Sequence, residues 1–479
     1  MASLKDKTSR GFFWGGMSSF LQQLLNAAFG IYLARTLTPD DYGLVGMLAI
    51  FSLLAYALQD GGFVSALINR EEIRHEDYNA VFWFSALVSV GCYLVFFFCA
   101  PAIARFFHHP ELVKLARWSF LGFVIFGFGT AHRAYLTKKM MIREIAVSNI
   151  LSVLIGGLVG VFLAWKGFAY WALAVQGLVT ALVANIGFWL FSRWRPDFKI
   201  DFRPVREMLR YGFKLMFTNI FNNINAQLVT VVLGRYYSAG RVGFYTQANK
   251  WYSMGSSVLT GMVNGVAQPV LVTVGDERER QLRVFRKMMR TAAFLSFPAM
   301  LGLAFIAPEF ISLTITDKWK ESIPLLQVLC IGGAFIPMIS VCSNLILSKG
   351  RATTYMWVNI CLFLTTLGLV YVLHPYGVEW MVVGITVANV LWLPLWLVFV
   401  KKEIGYSLRN LLADVLPFLG AALLALGIAW LVIRGIDNLW LRMGIKVFVT
   451  GALYALVMWA TRAVIFRDVL EFVFKRKTE

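Results

Sequence analysis

Apolar runs of about 20 residues recur from one end of this chain to the other, and that length matches a helix crossing a hydrocarbon layer roughly 30 Å thick. They leave little chain over for a soluble domain. Charged residues make up 15% of the 479 positions, against about a quarter in an ordinary soluble domain. We read an all-α integral membrane protein of about 14 transmembrane helices. The expected spans are 11–34, 42–66, 79–100, 113–136, 145–165, 169–192, 210–233, 242–272, 289–307, 323–347, 353–373, 379–400, 411–433 and 441–462. The basic, then apolar N-terminus has no small-residue cleavage site and reads as a first span, not a signal peptide.

The net charge of +19 would suggest nucleic acid in a soluble chain. Here its placement accounts for it. With the N-terminus inside the cell behind Lys5, Lys7 and Arg10, alternation assigns most Lys and Arg to cytoplasmic segments, including 193–210, 278–290 and the tail at Lys475, Arg476 and Lys477. That is the positive-inside pattern. It predicts cytoplasmic termini and leaves no nucleic-acid partner to invoke. Within RQLRVFRKMMR (280–290), Leu282, Phe285 and Met289 share a face. The segment reads either as an amphipathic helix lying on the anionic inner leaflet or as a solvated basic loop.

The chain also repeats itself. Residues 11–46 align with 211–246: Phe13 meets Phe213, Leu33 meets Leu233, Arg35 meets Arg235 and Gly43 meets Gly243. Further on, Ala100-Pro101 resembles Ala307-Pro308, and Gly167 to Tyr170 resembles Gly377 to Trp380. Each copy holds an even number of spans, so both enter the membrane from the same side, as parallel repeats. The expected organisation is a six-helix lobe at 1–200, a second at 201–405, and two added helices with a basic tail at 406–479.

Carboxamides are costly in lipid unless paired, yet TNIFNNINAQ (218–227) holds five. Asn219, Asn223 and Gln227 share a helix face; Ser19, Gln23 and Asn26 do the same in the first span. Gln22 aligns with Asn222. These stripes either line a polar cavity shared by the repeats or glue helices together. Lys250 lies deeper, roughly 12 Å from one face of the core, flanked by Gln247 and Asn249; its repeat equivalent is Ile50. A cation at that depth should face water or an anion. Lys214 and Arg133 sit near span ends, where snorkelling explains them as well as function does. Arg35 and Arg235 either contact an anion at the exit or cap helix C-termini. Asp60 is either a coupling-ion site or a local structural acid. Glu309 and Asp317 read as solvated. The five cysteines read as small buried hydrophobes. There is no nucleotide-binding glycine loop, no metal-ligand spacing and no catalytic constellation, so neither metal nor cofactor is expected.

LARTLTPDDYGLVGML (33–48), LQDGGFVSALI (58–68), EDYNAVFWFS (76–85) and VVLGRYYSAGRVGFYTQANKWY (231–252) resemble the polysaccharide transporter family. It contains the Wzx-type flippases of O-antigen, capsule and exopolysaccharide assembly, including a colanic acid exporter-like subgroup. It belongs to the superfamily of multidrug extruders and the lipid II flippase. The resemblance implies two six-helix lobes around a central cavity lined by spans 1, 2, 7 and 8. It implies alternating access, no enzymatic activity, and a bacterial inner-membrane location. The implied substrate is an oligosaccharide on undecaprenyl diphosphate, the diphosphate met by Lys250, Lys214 and Arg133 and the sugars by the amides. Implied partners are membrane lipids, a polysaccharide polymerase and a chain-length regulator, around a monomer. Two alternatives remain: a multidrug-type exporter, which should carry acids at depth, and a membrane polymerase or ligase, which should carry a sizeable external loop.

Overall fold

The computed structural model describes residues 4–60, 67, 73–273, 277–461 and 465–467; the side chains of 4–13, 60, 206–207, 209–219, 266, 268–269 and 272–273 lie outside that description. All regular structure among the described residues is helical. The chain forms two compact units, Met1–Gly243 and Phe244–Glu479.

The first unit contains α1 (Leu4–Thr36), α2 (Pro39–Asp60), α3 (His75–Phe107), the short α4 (Leu112–Ser119), α5 (Leu121–Gly127) and α6 (Thr130–Lys138), then α7 (Ile142–Trp165), α8 (Tyr170–Phe191) and α9 (Arg203–Tyr236). The helix α10 (Ala239–Thr273) begins in this unit and continues into the second. There follow α11 (Arg278–Ile315), α12 (Ser322–Gly333), α13 (Ile336–Ser348), α14 (Ala352–Leu373), α15 (Val378–Ile404), α16 (Leu408–Val432) and α17 (Leu439–Ala460).

Among the described residues, ten helical segments are long and apolar enough to span a bilayer, and α4–α5 with α6, bent by 41°, makes an eleventh. The long helices α1, α9 and α10 fall outside that set because polar residues lower their mean hydropathy. They are the three helices that hold the carboxamides and Lys250.

Packing follows from small residues. On α7, Ser148, Ser152, Gly156, Gly160 and Ala164 recur every fourth position and are all buried. That ladder lets α8 approach closely, in the small-residue manner of membrane helices. A methyl on Gly156 would lie 2.0 Å from Thr180 Oγ1.

The repeat is visible in the helix ends. α1 ends at Thr36 and α9 at Tyr236; α2 starts at Pro39 and α10 at Ala239. Both new helices open on a hydroxyl. Thr38 Oγ1 accepts from Asp41 N at 3.3 Å, and Ser238 Oγ accepts from Arg241 N at 3.4 Å. Each hydroxyl satisfies an orphan donor of a first helical turn. The contacts are reciprocal: a Cβ on Gly43 would stand 1.8 Å from Ala239 O, and one on Gly243 would stand 1.9 Å from Pro39 O.

Spans expected as single helices at 113–136 and 323–347 are both broken, the first at Phe120 and again at Phe128-Gly129, the second at Ala334-Phe335. Asn185 occupies the space a Cβ on Gly129 would need, and Pro337 in the first turn of α13 lacks an amide donor.

Two further expectations need correction. Residues 280–290 are not a loop, and they are not a separate helix. They are the opening turns of α11, with Gln281, Phe285 and Met289 buried against protein. The cysteines are all free, but Cys99 and Cys361 are exposed; Cys330 and Cys342 are the buried ones.

Candidate functional site

In the first unit, α9 packs on α2 and α3 and carries the amides. Asn222 is exposed and Gln227 half-buried; the half-buried Asn223 donates from Nδ2 to Leu53 O at a long 3.5 Å. Asn225 Oδ1 is buried without a partner among the described residues. On α1, Gln22 Nε2 donates back to Ser18 Oγ at 2.8 Å and Ser19 Oγ to Gly15 O at 2.9 Å. Gln23 is half-buried and Asn26 exposed. Among the described residues no hydrogen bond joins an amide of α1 to one of α9. The side chains of Asn219, Lys214 and Asp60 lie outside the described residues.

Arg133 is exposed on α6. Arg35 is exposed in the last turn of α1. Arg235 is engaged: its guanidinium donates to Phe106 O at 2.7 Å, reaches the His108 ring at 2.8 Å and lies over the Phe106 ring at 5.2 Å. It ties the end of α9 to the end of α3, where His108 takes a left-handed conformation.

In the second unit, Lys250 is half-buried on α10, its Nζ 5.7 Å from the centre of the Trp251 ring. Trp251 itself is held edge-on by Phe310 at 5.0 Å. Gln247 is fully buried with neither amide atom bonded among the described residues, and Asn249 is half-buried. Fourteen residues further, close to four turns and so on roughly the same side, Asn264 Oδ1 accepts from Asn344 Nδ2 at 2.8 Å. α10 contains no Asp or Glu; the acids of α1 and α9, Asp6 and Glu207, lie near their helix starts and their side chains are outside the described residues. Away from the helix ends, the described polar side chains on these helices are chiefly amides and hydroxyls, with Lys250 as the charge, a chemistry suited to hydroxyls and an anion.

The acids are elsewhere. Glu309, expected to be solvated, is 1% exposed. Lys446 Nζ meets its Oε2 at 2.7 Å and Arg442 Nε its Oε1 at 2.8 Å; Lys446 also donates to Phe305 O at 2.8 Å. Asp414, 1% exposed, takes a two-pronged bond from Arg286, at 2.9 Å to each oxygen, and a third from Arg290 at 2.6 Å. Asp317, by contrast, is exposed and pairs with Lys320 at 3.1 Å. Sequence reasoning missed the two buried clusters and the Asn264–Asn344 pair, because their partners lie 80 to 137 positions apart. The signal available was that Lys446 and Asp414 fall inside apolar runs, where a charge must find a partner.

Comparison with known proteins agrees with this architecture. A family model described as "Polysaccharide biosynthesis protein" matches residues 32–324. The chain belongs to that polysaccharide biosynthesis family. It is 27% identical over 364 residues to the lipopolysaccharide biosynthesis protein WzxC of Escherichia coli, covering 75% of this chain and 73% of that protein. It is 28% identical to the succinoglycan biosynthesis transport protein ExoT of Rhizobium meliloti (81% and 76% covered) and 24% identical to the teichuronic acid biosynthesis protein TuaB of Bacillus subtilis (90% of each). The fold is that of the lipid II flippase MurJ in an inward closed conformation, with a TM-score of 0.76 over 95% of this chain and 99% of that one at 15% identity. It is thus a multi-pass membrane protein, all-helical among the described residues.

Proposed function

We propose that this protein is a flippase that moves undecaprenyl-diphosphate-linked oligosaccharide repeat units from the inner to the outer leaflet of a bacterial plasma membrane by alternating access. One observation carries the reading: α1, α9 and α10 present carboxamides along their lengths, and α10, which has no Asp or Glu, adds Lys250. Sugars offer hydroxyls that amides can bond, and a diphosphate offers charge that a lysine at depth requires. Family membership and relatives named for polysaccharide biosynthesis and transport support it.

Within the proposal, Lys250, Lys214 and Arg133 meet the diphosphate. Gln22, Gln23, Asn26, Asn219, Asn222, Asn223, Gln227, Gln247 and Asn249 meet the saccharide. Both termini are cytoplasmic, and residues 1–200 and 201–405 act as duplicated halves with 406–479 appended. Glu309 and Asp414, buried in the second unit, are both engaged by cations of this chain, which favours this reading over an exporter of cations, and the role is transport without catalysis.

The test is leaflet translocation of an undecaprenyl-diphosphate oligosaccharide in proteoliposomes, read by accessibility to an external glycosidase. Wild type should expose the glycan faster than protein-free vesicles. A protein that leaves the glycan inside under imposed gradients, yet moves a cationic dye, would be an exporter instead.

A further inference from the structure

α11 enters the second unit with Arg283, Arg286, Lys287 and Arg290 on one face, since spacings of three and four residues stack side chains along a helix. The four line a depression of about 240 Å³ together with Ile465, and no acidic side chain is among its described lining. Two of them are held in place from behind. Asp414, with no exposed side-chain surface, anchors Arg286 and Arg290, whose side chains remain 34% and 39% exposed. One carboxylate therefore orients two guanidinium groups without covering them, and Arg283 adds an exposed charge beside them. Fixed guanidinium forks suit phosphate oxygens, because little rotamer freedom is lost on binding.

Directly alongside runs an apolar groove of about 400 Å³ between α10, α11 and α13, lined by residues that include Leu259, Met262, Val263, Met288 and Leu295. Lys287 lines both the groove and the basic depression. A site with several cations at one end and a single apolar trough leading away matches a lipid with two adjacent phosphates and one chain. A bilayer phospholipid brings one phosphate and two chains.

We propose that this basic depression and its groove form a docking site for a polyisoprenyl diphosphate, separate from Lys250, with the diphosphate on Arg283, Arg286, Lys287 and Arg290 and the chain along α10 and α11. The inference rests on the reading that the cargo hangs on such a lipid. It adds a place where the lipid is first held: the chain and diphosphate dock on α11 before translocation, when the diphosphate passes to Lys250 and the saccharide to the amides.

The test is photolabelling of the full-length protein in nanodiscs by a polyisoprenyl diphosphate with a photoreactive group in its chain, mapped by peptide mass spectrometry. Label should fall on 259–263 and 284–295. Arg283→Gln/Lys287→Gln should reduce it roughly tenfold, the scale of losing charge-assisted contacts. Val263→Phe, which fills the groove and leaves the cations alone, should displace the label while preserving the melting temperature. Label elsewhere, label unchanged in the double variant, or label abolished by equimolar phosphatidylglycerol would each overturn the site. Translocation by wild type with label elsewhere would sink the docking site and leave the flippase reading intact. Failure of wild type to translocate would sink the flippase reading itself.

Discussion

The third long helix of each repeat, α3 in one unit and α11 in the other, solves the same packing problem with different chemistry. With Pro101 matched to Pro308, Tyr78 falls on Phe285 and Phe82 on Met289, and all four are buried. Each buried face is then covered by the chain that follows its bundle. Trp194 lies 5.9 Å from Tyr78, and Tyr406 lies 4.9 Å from Phe285. The neighbouring positions diverge. Asn79 and Trp83 hold the segment after α8 by neutral hydrogen bonds: Asn79 Nδ2 to Lys199 O at 2.6 Å, Asp197 N to Asn79 Oδ1 at 2.9 Å, and Trp83 Nε1 to Asp197 O at 2.7 Å. Their counterparts Arg286 and Arg290 hold Asp414 of α16 by charge. Past the proline, Ala102 in one copy corresponds to Glu309 in the other, and Glu309 pairs with α17.

The difference teaches where charge is tolerated. Where the added helix pair meets α11, each buried carboxylate is met by cations from the other side: Asp414 of α16 by Arg286 and Arg290 of α11, and Glu309 of α11 by Arg442 and Lys446 of α17. Arg286 and Glu309 stand 23 positions apart on α11, roughly 35 Å along the axis, so α16 and α17 are fastened near both ends of that helix. Tyr454 adds a neutral bond between them, donating to Phe294 O at 3.0 Å.

The comparison breaks first, and most severely, at Glu309. Glu309→Ala strands a buried lysine, and loss of one partner of a buried pair costs about 3–5 kcal/mol. Thermal unfolding in detergent should show it as a large drop in melting temperature, and the double variant Glu309→Gln/Lys446→Met should recover most of it. A single variant as stable as wild type would mean the pair does not hold α17.

Much of this fold was legible in the sequence, and the limit has a physical cause. Apolar runs report burial in lipid, and the offset of 200 between Gly43 and Gly243 carried through to helix ends and caps. A hydropathy average is blind to a hinge, so the breaks at Phe128-Gly129 and Ala334-Phe335 did not show. Nor can it pair Arg286 with Asp414, because nothing local links residues so distant. Glu309 looked solvated because it sits near the end of a run, whereas its helix continues to Ile315. The candidate site was legible in residue type, amides and Lys250, but not in partners such as Asn344.

Next in size is Asp414→Asn. Arg286 and Arg290 are partly exposed and water can reach them, so the loss should be smaller, about 1.5–3 kcal/mol on the scale of a charged hydrogen bond. The neutral counterpart, Asn79→Ala, should cost about 1–2 kcal/mol by the same measurement. If Asn79→Ala proves the costlier of the two, the contrast between charged and neutral fastening fails.

The reciprocal contacts at Gly43 and Gly243 sharpen the remaining symmetry. Gly43→Ala and Gly243→Ala should each destabilise by about 1–3 kcal/mol through overpacking, and by similar amounts. Gly261→Ala, where a methyl meets nothing within 4 Å, should raise stability slightly, since alanine favours the helix by up to about 1 kcal/mol. Unequal effects at the two reciprocal glycines would show that the pairing is not shared evenly.

The central claim is that the membrane-embedded cation at Lys250 serves an anionic, lipid-linked cargo. The most direct measurement is the initial rate of undecaprenyl-diphosphate oligosaccharide translocation in proteoliposomes for wild type, Lys250→Arg and Lys250→Ala, at matched incorporation and melting temperature. The account predicts translocation by wild type, substantial retention in Lys250→Arg and a loss of at least roughly tenfold in Lys250→Ala, the scale of one charge-assisted contact. Equal rates in all three would contradict it.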